Sequence, residues 1–207
     1  EEDDAIGRQA ARYVRFAISA YGVVMLKGAN VMSWEAGWPP LHKLSVKEVN
    51  AWCITRHSSI EDGDLIRATL DEDRDLHLPA YFLAVDHATK SLVLSVRGTF
   101  SMRDTITDLV CDSAEFLGGA AHRGMCQGAE MLLADVKEDM LKQLGEHPGY
   151  RLVVCGHSMG AGVSILLTML LLERRRALGL GNTEVQCFAF APPPVFAPGG
   201  GGGGSGG

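Results

Sequence analysis

The sequence predicts an α/β fold, a mainly parallel sheet flanked by helices, and two observations carry that prediction. From residue 126 onward helix-like and strand-like stretches alternate: a helical period over 126–144, an apolar run over 152–155, a helical stretch over 163–176 and a second apolar run over 185–190. Right-handed crossovers between successive strands then make the strands parallel. Glycines also stand where such a chain must turn, with Gly156 and Gly160 around Ser158 and with Gly179 and Gly181 after the second helix.

Taken in order, residues 10–26 place Tyr13, Val14, Ala17, Ile18 and Tyr21 on a helical period, with Arg8, Arg12 and Arg15 spread among them. Such a helix lies on a membrane surface or packs on a core, and packing is the commoner fate. Residues 28–40, with Trp34, Trp38 and Pro39-Pro40, read as a loop. Residues 44–56 are ambiguous between helix and strand, and the acidic stretch 61–75 reads as a solvated face, since its spacing matches no metal-ligand loop. Residues 80–86 and 91–97 read as two strands joined by the short loop His87-Ala88-Thr89-Lys90. Ser101 stands three residues before Asp104 in a capping-box pattern that opens a helix through Leu109. Over 126–144 the apolar positions Ala129, Met131, Leu132, Leu133, Val136, Met140 and Leu144 mark an amphipathic helix. The last strand, 185–190, ends at Pro192-Pro193-Pro194.

At 207 residues the chain has room for one domain with a substantial core. Its net charge of −6 argues weakly against nucleic acid or an anionic membrane surface as an electrostatic partner. The five cysteines, Cys53, Cys111, Cys126, Cys155 and Cys187, are scattered among apolar neighbours without a C-x-x-C pair. Reduced, buried thiols are therefore expected rather than a disulfide framework, which leans toward an intracellular setting. The acidic start does not read as a secretory signal, and no apolar stretch reaches the length of a membrane span. Residues 1–198 are read as one partial domain and 199–207, glycine with Ser205, as an engineered linker.

Chemistry concentrates at Gly156-His157-Ser158-Met159-Gly160, a G-x-S-x-G between a strand and a helix. That context is the one in which a serine sits on a strained turn with its hydroxyl raised above the sheet. The flanking glycines let neighbouring chain approach, and the helix N-terminus behind the serine favours negative charge. Acyl transfer by serine needs a nucleophile, a base oriented by a carboxylate, and N–H donors for the oxyanion. Ser158 is the candidate nucleophile, and Met159 and Thr99 are the candidate oxyanion donors, the latter from Arg97-Gly98-Thr99 at the end of an earlier strand. No G-x-G-x-x-G follows a strand, which argues against a dinucleotide site.

These residues resemble the class 3 lipases, and within them the sn-1-selective diacylglycerol lipases. The matching stretches are Tyr81 through His87, Leu92 through Thr99, Ser101 through Asp104, Thr107 through Leu109, Ala121-His122-Arg123-Gly124-Met125, Gly156 through Gly162, and Cys187 through Pro193. The resemblance implies an α/β-hydrolase fold and hydrolysis of an acylglycerol ester with no metal or organic cofactor. It also implies a lipid ester substrate, transient contact with a membrane surface, and an elbow helix that lays Ile165 and Leu166 against the sheet.

The sequence departs from the family in one respect. The family order is serine, aspartate, histidine, yet no aspartate or histidine follows Ser158 here. His157 is expected to point away from Ser158, His122 to fix a turn, and Asp104, Asp108 and Asp112 to cap helices or brace loops. The triad aspartate and histidine are therefore expected from a C-terminal segment, missing or present as a separate chain. A non-catalytic lipid- or protein-binding domain of the same fold is the alternative, and acyl transfer to an acceptor other than water is a third reading.

Overall fold

The computed structural model describes residues 2–23, 43–70, 78–98 and 112–199. A five-stranded sheet runs in the order β1 (Leu65–Ala68), β2 (Tyr81–Asp86), β3 (Ser91–Val96), β6 (Arg151–His157), β7 (Val185–Phe190). The β1–β2 and β2–β3 pairs are antiparallel, and β3–β6 and β6–β7 are parallel. Only β2 therefore runs against the other four, and the sheet is mainly parallel as expected. A second sheet of three strands, β4 (Ser113–Phe116), β5 (Gly119–His122) and β8 (Phe196–Pro198), adds to the predicted architecture.

Strands β2 and β3 are buried along their whole length, and their alternate residues feed two cores. On one face Leu83, Val85, Leu94, Leu152 and Val154 meet helices α3 (Arg123–Glu146) and α4 (Met159–Glu173) through Leu132, Val136, Leu166 and Leu170. On the other, Phe82, Ala84, Val93 and Val153 meet Tyr13, Phe16 and Ala17 of helix α1 (Glu2–Ser19). This packed helix answers the choice left open for residues 10–26, although it starts at Glu2 and ends at Ser19. Leu166 is buried as expected, whereas Ile165 is only half-buried, because the helical period turns it toward the rim.

The ambiguous segment 44–56 is helix α2 (Val46–Ser58). Its start is fixed by a capping box in which Ser45 accepts from the Glu48 amide and the Glu48 carboxylate accepts from the Ser45 amide. The acidic stretch after it holds a single 3-10 turn (Asp62–Asp64) and then edge strand β1, so the expected solvated face is in part a strand. Around this edge Arg67 bridges Asp135 and Asp139, and the buried Tyr81 hydroxyl donates to Asp135 at 2.6 Å. These bonds fasten β1 and β2 to α3.

Four cysteines among the described residues are free: Cys53, Cys126 and Cys155 are buried and Cys187 is half-buried, while Cys111 lies outside the described residues. Burial pushes the Cys53 thiol up to about 11 and the Cys155 thiol up to about 12. Among the described residues no helix is long and apolar enough to cross a membrane.

Candidate active site

Parallel register brings the site together. Val96 pairs with Gly156 and His157 with Phe190, so β3, β6 and β7 end side by side. Beyond β6 the chain turns sharply at Ser158, whose φ of 57° and ψ of −128° lie where side-chain-bearing residues are strained. The turn is held from both sides. The Ser158 amide donates to the Phe190 carbonyl at 2.9 Å, and the Ser158 carbonyl accepts from Ala161 and Gly162 at 3.0 and 3.2 Å as α4 begins.

The glycines of the motif are sites of close approach. A Cβ on Gly156 would stand 2.5 Å from the Gly160 carbonyl oxygen, and one on Gly160 would stand 2.7 Å from the Gly98 nitrogen. A Cβ on Gly98 would lie 2.5 Å from the His157 carbonyl oxygen and 3.3 Å from the Ser158 Cβ. The end of β3 thus lies directly against the bend. Side chains larger than hydrogen at these positions would push the two apart.

Ser158 is 8% exposed, at the N-cap of α4, with Met159 as the first helical residue. The amide end of a 15-residue helix therefore faces the serine, and its dipole favours negative charge there. Thr99, the other candidate donor, lies outside the described residues, as do Asp104 and Asp108. Gly98, the residue before Thr99, is in place beside the bend.

His157 is held by Tyr21. Its Nδ1 is 2.9 Å from the Tyr21 hydroxyl, and the two rings meet edge to face at 5.9 Å. His122 is the N-cap of α3, its Nδ1 accepting from the Met125 amide at 3.3 Å. Asp112 braces the entry to the same helix through the Arg123 guanidinium at 2.7 Å. Among the described residues no group of three or more His, Cys, Asp or Glu side chains could hold a metal ion.

Tyr21 is the residue of this region that sequence alone does not single out. It is 4% exposed, and burial raises its phenol above the ordinary tyrosine value, while a hydrogen bond from the Gly98 amide and the charge of Arg97 act the other way. In the sequence it is one more apolar position on a helical period, and only the fold shows its hydroxyl at the elbow.

A strand, a strained serine between close-packed glycines and a helix, on a mainly parallel sheet with helices on both faces, define an α/β-hydrolase fold. The chain belongs to the class 3 lipase family: the family model Lipase (class 3) matches residues 93–198. Human diacylglycerol lipase-alpha is 32% identical over 161 residues, covering 70% of this chain and 14% of that protein. A lipase of Rhizopus niveus is 30% identical over 145 residues, covering 68% of this chain and 36% of that one. The chain thus spans about one seventh of the diacylglycerol lipase and about a third of the fungal enzyme. Among solved structures, the lipase from Rhizopus microsporus var. chinensis superposes with a TM-score of 0.64 at 22% identity, over 93% of this chain and 59% of that one. Lipase II from Rhizopus niveus gives the same score over 93% of this chain and 64% of its own.

Proposed function

We propose that the chain carries the nucleophile and oxyanion elements of a serine esterase acting on acylglycerols, with diacylglycerol or a related glycerolipid as substrate. The observation that carries the reading is the positive-φ backbone of Ser158 at the head of α4, wedged between the ends of β3 and β7. The names of the relatives, diacylglycerol lipases and fungal lipases, support the substrate class.

In this reading the Ser158 oxygen attacks the ester carbonyl, and the Met159 and Thr99 amides hold the oxygen that becomes negative. Collapse of that intermediate expels the glycerol hydroxyl with a proton and leaves an acyl-serine, which water then cleaves. The proton is carried by a histidine oriented by an aspartate, and the reading assigns both to a C-terminal segment, joined to this chain or separate from it. Among the described residues His157 and His122 are already engaged with Tyr21 and the Met125 amide, which supports that assignment.

The test is covalent labelling with a fluorophosphonate, carried out with the C-terminal segment that supplies the histidine and aspartate present, and read by intact mass and peptide mapping. A phosphonyl adduct on Ser158 that disappears in Ser158→Ala supports the esterase. Wild-type protein that takes no label rejects it in favour of a non-catalytic binding domain. Hydrolysis of diacylglycerol, triacylglycerol and phospholipid in mixed micelles then separates the substrate classes.

A further inference from the structure

Tyr21 sits just past the C-terminal end of α1, far from the elbow in sequence, yet its hydroxyl lies where the end of β3 and the nucleophile turn meet. It packs against Gly98 and lies 2.9 Å from His157 Nδ1. The same hydroxyl lies 3.5 Å from the His157 carbonyl oxygen, so it meets both the ring and the backbone of the residue before Ser158. The fit is close: a Cβ on Gly98 would stand 2.6 Å from the Tyr21 oxygen and 3.3 Å from the Ser158 Cβ. One hydroxyl therefore bridges the residue before Ser158 and the glycine at which the chain leaves β3.

The position of Tyr21 is itself over-determined. Tyr21 is nearly fully buried, Gly22 follows with φ of +66°, and the next amide, of Val23, donates to the Asn50 side chain at 3.0 Å. The α1 end is thus tied to α2 before the tyrosine reaches across to the elbow. Such a strut fixes a distance, and serine acyl transfer is sensitive to that distance, since a displacement of about 1 Å in a reacting site costs on the order of 100-fold in rate.

The geometry points to Tyr21 as a positioning residue for the reaction at Ser158, holding the end of β3 against the elbow through Gly98 and His157. The inference rests on the esterase reading above. It gives Tyr21 no contact with substrate; its effect is on the spacing of groups that do make contact.

The test is inactivation by a fluorophosphonate ester, resolved into KI and kinact with the C-terminal segment that supplies the histidine and aspartate present, in wild type, Tyr21→Phe, His157→Phe and Tyr150→Phe. Tyr150 is a control, because its hydroxyl bonds His87 at the opposite end of the sheet. Tyr21→Phe is expected to lower kinact roughly 10- to 100-fold with KI within about twofold of wild type. His157→Phe removes the ring partner of the hydroxyl while Tyr21 stays unchanged and is expected to give a drop of similar size; it decides the question by itself if Tyr21→Phe does not fold. The double variant should be no slower than the slower single one, because both changes cut the same strut. A kinact within about twofold of wild type in either folded variant, or a change confined to KI, overturns the inference while leaving the esterase reading intact. Wild-type protein that fails to label overturns the esterase reading, and the positioning role falls with it.

Discussion

The amide of Ser158 donates to the carbonyl oxygen of Phe190 at 2.9 Å, so the elbow hangs from the last residue of β7 as well as from its own strand. The carbonyl is supplied at the point where β7 ends and Ala191 turns with φ of 49°. A strained backbone persists only where its surroundings over-determine it. Here the restraints are this bond, the α4 amides on the Ser158 carbonyl, and the contact of Gly160 with the end of β3.

Gly160→Ala tests those restraints. Its Cβ would stand 2.7 Å from both the Arg97 carbonyl carbon and the Gly98 nitrogen, and backbone cannot swing aside as a side-chain tip does. The expected cost is about 1–3 kcal/mol of stability, measured by urea unfolding, together with loss of fluorophosphonate labelling of Ser158.

Gly7→Ala should act in the opposite direction. Gly7 lies inside α1, and a Cβ there meets nothing within 4 Å. Alanine in an open helical position is expected to add about 0.5–1 kcal/mol, read as a higher urea midpoint with an unchanged m-value.

Asp86 and Arg12 form a buried charge pair whose halves should not be separable. The Asp86 carboxylate is 1% exposed and accepts from Arg12 Nε at 3.0 Å and Nη2 at 2.8 Å. Arg12→Met leaves the carboxylate without that partner and is expected to cost about 3 kcal/mol. Arg12→Met combined with Asp86→Asn should cost less than the single change, which a double-mutant cycle in urea would show.

The buried thiols make stability depend on alkaline pH. Cys155 ionises at about 12 in the fold, against ~8.5 when exposed. A folded value raised above the unfolded one gives stability that is fully present below the unfolded value and lost as pH rises toward the folded one. Stability should therefore fall between about pH 8.5 and 12, less steeply in Cys155→Ala. Alkylation of the native protein at about pH 8 should spare Cys155 and Cys53 and favour the half-buried Cys187, as peptide mapping would report.

The central sheet and its flanking helices were legible because their signals are local. Val185–Phe190 reads as a strand from six consecutive residues, and the hairpin of β2 and β3 from two apolar runs around a four-residue joint. The Ser45–Glu48 capping box was equally local, yet the weak apolar period behind it left α2 undecided. Strands β4, β5 and β8 were not legible, since β5 pairs with a three-residue strand about 75 positions away and neither carries a run of its own. Within the site, Ser158 and its glycines could be read because strand, turn and helix are contiguous. The Tyr21–His157 contact spans 136 positions, and no pattern within a window reports it.

The opposed direction of β2 has a consequence for the order in which the molecule is made. The β2–β3 hairpin closes over four residues, and α1, already synthesised, supplies Phe16 to stack on Phe82 at 6.2 Å. Pairing of β3 with β6 must wait until residue 151 has emerged, and β7 must wait longer still. Local contacts form before distant ones as a chain leaves the ribosome. The reactive bend therefore takes shape only after α1 and the β2–β3 hairpin are in place.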